Sequence, residues 1–249
     1  MKVVILGAGT AIPATGHSPS GLYVRAAGEH LLFDAGPGTL QRLHALGVTR
    51  LQLDRLFLTH LHVDHCLDLV SILFALRIPS PARMKPLTVY GPRGLRRLYR
   101  QLNRTFHRWL EPKTYRLILR EVDETTLKGR GYRVRTRRMR HSTTAVGYRL
   151  EAHGVRIAYS GDTDVCKELV ELGRGADLLI LECSMTDERK VAGHLTPTEC
   201  GRIAAEAQCT HLVLTHFYPV FQGYDLRRRV RRAFRGRLTL ACDGTTVHL

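Results

Sequence analysis

The stretch Thr59-His60-Leu61-His62-Val63-Asp64-His65 constrains this chain more than any other feature. It sets three imidazoles and a carboxylate within six residues, directly behind the apolar run Leu56-Phe57-Leu58. An apolar run of that length ahead of a polar cluster predicts a buried strand that delivers side chains at its C-terminal end. Neutral imidazole nitrogen and carboxylate oxygen are ligands for borderline-soft divalent cations, which need several of them about 2 Å away. His60 and His62 suit one ion, while Asp64 and His65, turned onto a following helix, suit a second. The competing reading is a run of solvated surface histidines. Four ligand-type side chains so close behind a strand weigh against it.

The pattern His60-x-His62-x-Asp64-His65 resembles the motif of the metallo-β-lactamase superfamily. That resemblance implies an α/β (α+β) fold, a four-layer αββα sandwich with two metals at one edge. A chain of 249 residues, 44% hydrophobic, can bury the core such a sandwich needs and reads as a single domain over 1–249. No apolar run approaches the ~18 residues of a membrane span. Met1 leads straight into the strand-like Val3-Val4-Ile5-Leu6, without the apolar segment and cleavage site of a secretory signal, so a cytoplasmic location is expected. The six cysteines form no CxxC pair and read as reduced thiols, Cys66 among them as a packing residue.

Along the chain, strands alternate with helices. Leu22-Arg25 and Leu31-Phe33 predict a hairpin around Gly28-Glu29, and Leu40, Leu43 and Leu46 a helix. Gly7-Ala8-Gly9-Thr10 lacks the third glycine of a dinucleotide fingerprint. A helix is expected over 65–77, and another where Leu95, Leu98, Tyr99 and Leu102 repeat with Arg96, Arg97 and Arg100 opposite. The run Arg133 to Arg140 reads as an arginine-bearing edge strand. A second hairpin surrounds His153-Gly154, and Leu178-Leu181 is a buried strand. Thr196-Pro197 with Glu199 predicts a capped helix, and a last helix is expected near 225–235.

Four more residues fall just past strands: His141, Asp162, His194 and His216. Each alone reads more readily as a hydrogen-bonded structural residue, but together with the opening cluster they suit a metal centre. In that set His60, His62 and His141 hold one ion, Asp64, His65 and His216 the other, and Asp162 bridges them. A bridging carboxylate sets two ions about 3.5–4 Å apart. Asp34 ends a strand that points toward the metal loop; it reads either as a support fixing a ligand histidine in one tautomer or as a turn residue.

Gly193-His194-Leu195-Thr196 and Leu214-Thr215-His216-Phe217 narrow the resemblance to the ribonuclease Z branch, the phosphodiesterases of the superfamily. Leu6-Gly7-Ala8-Gly9-Thr10 and Phe33-Asp34-Ala35-Gly36 are similar to its early motifs. Leu195 replaces the serine usual there, and Pro37 an acidic residue. The resemblance implies hydrolysis of RNA 3′ ends, such as precursor tRNA, or of smaller phosphodiesters. A hydroxide bridging two divalent ions would attack, Asp64 would orient it and take its proton, and His194 would protonate the departing oxygen. Zinc suits the imidazoles; manganese or iron would suit the carboxylates. Members of the branch that process tRNA carry an inserted arm, commonly between the positions of His141 and Asp162, where this chain has only a hairpin. They often form homodimers. No substrate-binding residue is assigned from the sequence.

The formal charge of +16 favours an anionic partner, RNA above all, although 32 of the 38 basic residues are arginine, a skew that base composition of the coding DNA also produces. Two other functions fit parts of the pattern: a thioester or lactone hydrolase of the glyoxalase II kind, and a non-catalytic RNA-binding scaffold with structural metals.

Overall fold

A computed structural model describes residues 1–221 and 223–249. The first half contains β1 (Lys2–Gly7), β2 (Gly21–Ala26), β3 (Glu29–Phe33), α1 (Thr39–Ala45), β4 (Leu53–Phe57), α2 (Val63–Cys66), α3 (Asp68–Arg77), β5 (Leu87–Gly91), α4 (Leu95–Thr105) and β6 (Leu117–Glu121). The second contains β7 (Thr126–Lys128), β8 (Tyr132–Arg138), β9 (Val146–Ala152), β10 (Val155–Tyr159), α5 (Lys167–Gly173), β11 (Leu178–Glu182), α6 (Pro197–Glu206), β12 (His211–Thr215), α7 (Leu226–Arg231), β13 (Arg237–Leu240) and β14 (Thr246–His248). One sheet has the order β14-β1-β2-β3-β4-β5-β6, the other β13-β12-β11-β10-β9-β8-β7.

Both faces of each sheet are covered, which explains why the central strands are apolar throughout rather than alternating. In β1, Val3 and Ile5 face the opposite sheet, while Val4 and Leu6 join the layer of α1, α3 and α4. In β11, Leu178 and Ile180 face inward and Leu179 and Leu181 pack with α5, α6 and α7. The result is the four-layer αββα sandwich expected. Among the described residues no helix is long and apolar enough to cross a membrane.

Several expectations need correction. The helix expected over 65–77 is two helices, since α2 ends at Cys66 and α3 starts at Asp68; the break lets the Ala35 carbonyl take the Asp68 N–H at 2.8 Å. The arginine run of β8 is not an edge, for β7 pairs outside it. The last helix stops at Arg231. The capping box of α6 forms as expected, with the Thr196 N–H donating to Glu199 at 2.9 Å.

His211 starts β12, at the end of that strand remote from the metal motif. It is buried, its Nε2 lies 2.9 Å from the Thr239 hydroxyl, and burial together with Arg237 pushes its pKa down to about 4. Between that value and about 6.5 the unfolded chain binds a proton that the folded chain refuses, so stability falls as pH falls through this window. Urea unfolding of the chelated protein is expected to show wild type losing on the order of 1–2 kcal/mol more than His211→Gln between pH 7 and pH 4.5.

Candidate metal centre

The polar cluster sits where the parallel strands end. Asp34 follows β3, His60 follows β4, Asp162 follows β10, Glu182 ends β11 and His216 follows β12. Carboxyl ends of parallel strands are where α/β sheets leave a crevice for ligands. The two sheets are tied together here. The Val146 N–H donates to the Thr59 carbonyl at 2.9 Å, and the Tyr148 hydroxyl to the Leu58 carbonyl at 2.7 Å. Gly161 lets the strand ends approach, because a Cβ there would lie 2.6 Å from the Thr59 Cβ. Asp34 and His216 adopt positive φ, 57° and 61°, a conformation non-glycine residues take only when their surroundings hold them in it.

The histidine tautomers follow from their neighbours. His65 Nδ1 donates to Asp34 Oδ2 at 2.8 Å. His141 Nδ1 donates to the Gly193 carbonyl at 2.9 Å. The Thr59 hydroxyl donates to Asp34, so His60 Nδ1, 3.1 Å away, donates to the hydroxyl oxygen. The Ser184 hydroxyl donates to Glu182 Oε2 at 2.6 Å, so His216 Nδ1, at 3.0 Å, donates to Ser184. All four rings therefore turn an Nε2 lone pair toward the same place.

Two nests of lone pairs result. His60, His62 and His141 form one, with His141 Nε2 and His62 Nδ1 3.1 Å apart. Asp64, His65 and His216 form the other, with the Nε2 atoms of His65 and His216 also 3.1 Å apart. Asp162 lies between. Its Oδ1 is 3.2 Å from His65 Nε2 and 3.5 Å from His216 Nε2, and its Oδ2 is 3.8 Å from His60 Nε2 and 3.9 Å from His141 Nε2. His60 Nε2 and Asp162 Oδ1 are buried with no hydrogen-bond partner. An orphaned buried polar atom costs roughly 1–3 kcal/mol. Divalent cations would remove that penalty and take the converging nitrogens as ligands, so the donor set fits them. Every ligand expected from the sequence is brought to one of the nests or to the bridge between them.

The electrostatics agree. Burial pushes His60 far below the usual imidazole range, which keeps it a neutral ligand. Burial disfavours positive charge on His65, but the carboxylates of Asp162 and Asp34 outweigh it and raise its pKa; the negative charge that favours a proton at Nε2 equally favours a cation there in the proton's place. Burial opposes ionisation of Asp64, but the imidazoles of His216 and His65 beside it override that and hold the carboxyl well below its usual range.

His194 stands at the rim of both nests. Its Nδ1 donates to Glu182 Oε1 at 3.0 Å, leaving Nε2 directed away from Glu182. The loop that carries it is polar in sequence but fastened in the structure. Gly193 N–H donates to Asp164 at 3.0 Å, and Lys190 bonds Asp164 and Glu199 at 2.7 Å each. Glu182 also takes the N–H groups of Thr163 and Ser184, at 3.0 and 3.2 Å. Sequence reasoning missed Glu182, Ser184 and Thr59. Glu182 was detectable as a carboxylate closing an otherwise apolar strand, whereas Ser184 and Thr59 carry no sequence signal.

The ligand-candidate histidine that Asp34 contacts is His65, and the two Asp34 oxygens also accept the Thr59 N–H at 2.7 Å and the Tyr159 hydroxyl at 2.8 Å. Asp34→Asn would place donors against donors. Competition with a chromophoric chelator is expected to show metal affinity falling about 10- to 100-fold.

Comparison with known proteins follows the geometry. The family profile described as "Beta-lactamase superfamily domain" matches residues 29–217. The ribonuclease Z of Brevibacillus brevis is 30% identical, over 90% of this chain and 87% of its own length. That alignment runs to 284 positions against 249 residues here, so the relative carries segments this chain lacks. The metallo-beta-lactamase fold protein YhfI of Bacillus subtilis superposes with a TM-score of 0.85 at 26% identity, covering 99% of this chain and 98% of that one. The short form of human tRNase Z (ELAC1) superposes at 0.80, also with 26% identity, covering 100% and 99%.

Proposed function

The chain belongs to the beta-lactamase superfamily and within it to the ribonuclease Z family, and from that premise we propose a two-metal phosphodiesterase, zinc-loaded, that cleaves RNA at the 3′ side of a folded precursor. The observation that carries the reading is the pair of lone-pair nests joined by Asp162, with a separately held imidazole at their rim. Divalent ions held by these residues would supply an acidified water and neutralise charge that develops on the attacked phosphoryl group. Asp64, whose carboxyl the imidazoles beside it hold well below its usual range, would orient that water and accept its proton. Burial opposes a proton on His194, but the hydrogen bond and charge of Glu182 raise its pKa above the ordinary value. Glu182 thereby favours the protonated form of His194, which would give its proton to the departing ribose oxygen. The +16 charge and the exposed arginines of α4, β8 and α7 suit a polyanion.

The test is incubation with a 3′-extended precursor tRNA and, separately, bis(p-nitrophenyl) phosphate. Both are expected to be cleaved, both activities to vanish with chelator, and both to return with zinc. Thioester or lactone turnover exceeding phosphodiester turnover would move the protein to another branch. RNA binding that survives chelation, with no hydrolysis at any metal loading, would make it a scaffold.

A further inference from the structure

A cavity of about 820 Å³ opens beside the metal centre, and its lining differs from the rest of this basic surface. Tyr218 forms the shared wall. Its ring stands edge-on to both His216 and His194, with centroids 5.9 and 6.2 Å apart. From there the aromatic wall continues through Phe217 and Phe221 to Tyr224, with successive centroids of 5.7 and 5.8 Å, and His17 stands edge-on to Phe217 at 5.8 Å. Among the described residues that line it there is no Asp, Glu, Lys or Arg.

The cavity is preformed. Asp243 accepts the N–H groups of Ala8 and Ser18 at 3.0 Å, and the Phe217 N–H donates to the Ala8 carbonyl at 2.9 Å, so the loop bearing Thr15 and His17 is pinned over the aromatic wall. His17 Nδ1 donates to the Thr15 carbonyl at 3.0 Å, which leaves Nε2 as an acceptor at the cavity edge. The apolar hollow around Phe74 and Trp109 has no ligand candidate among the described residues that line it.

We infer that this cavity is a nucleobase subsite, taking the base of a nucleotide that flanks the scissile phosphate. The inference rests on the phosphodiesterase reading and deepens it. A phosphate has nothing to pair with in an uncharged pocket, whereas a base offers π-faces for Phe221 and Tyr218 to stack on and an exocyclic amine for His17 to accept. Continuity with His194 and His216 places such a base one nucleotide step from the attacked phosphorus. Base-on-aromatic stacking is sequence-tolerant, so the subsite would select nucleic acid over simple diesters without selecting a sequence.

The experiment has two arms. In the first, a short RNA is cleaved with and without an abasic nucleotide placed in turn on each side of the cut linkage. The wild type is expected to prefer the intact substrate about ten-fold in kcat/KM on one side, and Phe221→Ala and His17→Ala to erase most of that preference. Phe221→Tyr is expected to keep it and Phe221→Leu to lose it, which separates stacking from apolar bulk. No preference in the wild type, or a preference that survives Phe221→Ala, overturns the subsite. In the second arm, calorimetry of the zinc-loaded protein compares adenosine 5′-monophosphate with ribose 5-phosphate. The nucleotide is expected to bind about ten-fold tighter, and only in the protein with Phe221 intact. Equal affinities overturn the inference. If no RNA is cleaved, the phosphodiesterase reading fails, and the calorimetric arm still decides the pocket.

Discussion

Asp162→Ala is expected to lose metal and to abolish hydrolysis, with turnover of a phosphodiester down by at least about 10³-fold. Among the described residues no other carboxylate reaches both nests. One oxygen faces His65 and His216 and the other His60 and His141, all within 3.9 Å. Without Asp162, five imidazoles converge with Asp64 as the one remaining carboxylate in the two nests. That charge sits on one side, against His65 and His216, so the His60 nest is left with neutral ligands alone. Elemental analysis should find less than one equivalent of zinc, and residual metal should exchange rapidly. Thermal unfolding supplies an independent reading. A cation present at 100 times its dissociation constant stabilises the folded state by about 2.7 kcal/mol, so chelation should lower the Tm of the wild type clearly. The same treatment should hardly move the Tm of Asp162→Ala. A variant that keeps two tightly held equivalents would show that the two nests do not depend on a shared carboxylate.

The parts of the fold written in local patterns were legible in the sequence, and so was the convergence of the candidate ligands. The hairpin about Gly28, the capped helix at Thr196 and the buried strand at Leu178 each follow from periodicity, turn chemistry or a capping box. His60, Asp162 and His216 were found because each follows a strand, and parallel strands bring their carboxyl ends together, whereas His141 follows β8, which pairs antiparallel on both sides. What was missed is nonlocal or weakly patterned. Helix α5 is short and mixes Glu168 and Glu171 with Leu169, Val170 and Leu172, and β14 owes its existence to pairing with β1 at the far end of the chain. The break between α2 and α3 exists to meet the loop at Ala35, and no residue near Leu67 announces it. Likewise β8 reads as an edge until three residues of β7 pair with it. Glu182 and Ser184 gain their roles only when His194 and His216, from other segments, fold against them.

His194→Ala is expected to leave metal content and Tm unchanged while lowering cleavage of an RNA linkage about 10²- to 10⁴-fold, the range for removal of a positioned general acid. The decisive feature is how the loss depends on the leaving group. A ribose alkoxide is strongly basic and must be protonated as it departs, whereas p-nitrophenolate leaves unaided. The same variant should therefore lose far less activity toward bis(p-nitrophenyl) phosphate. A metal ligand would lower both rates together, and so would a residue needed only for folding. Glu182→Gln gives the second half of the argument. It removes the charge that raises the pKa of His194, and activity that needs His194 protonated is lost as pH rises through that pKa. The alkaline limb of the RNA-cleavage profile should accordingly move to lower pH in Glu182→Gln, while hydrolysis of the p-nitrophenyl ester keeps its wild-type profile. Equal losses on both substrates, or an unmoved alkaline limb, would take the proton away from His194 and assign it to solvent.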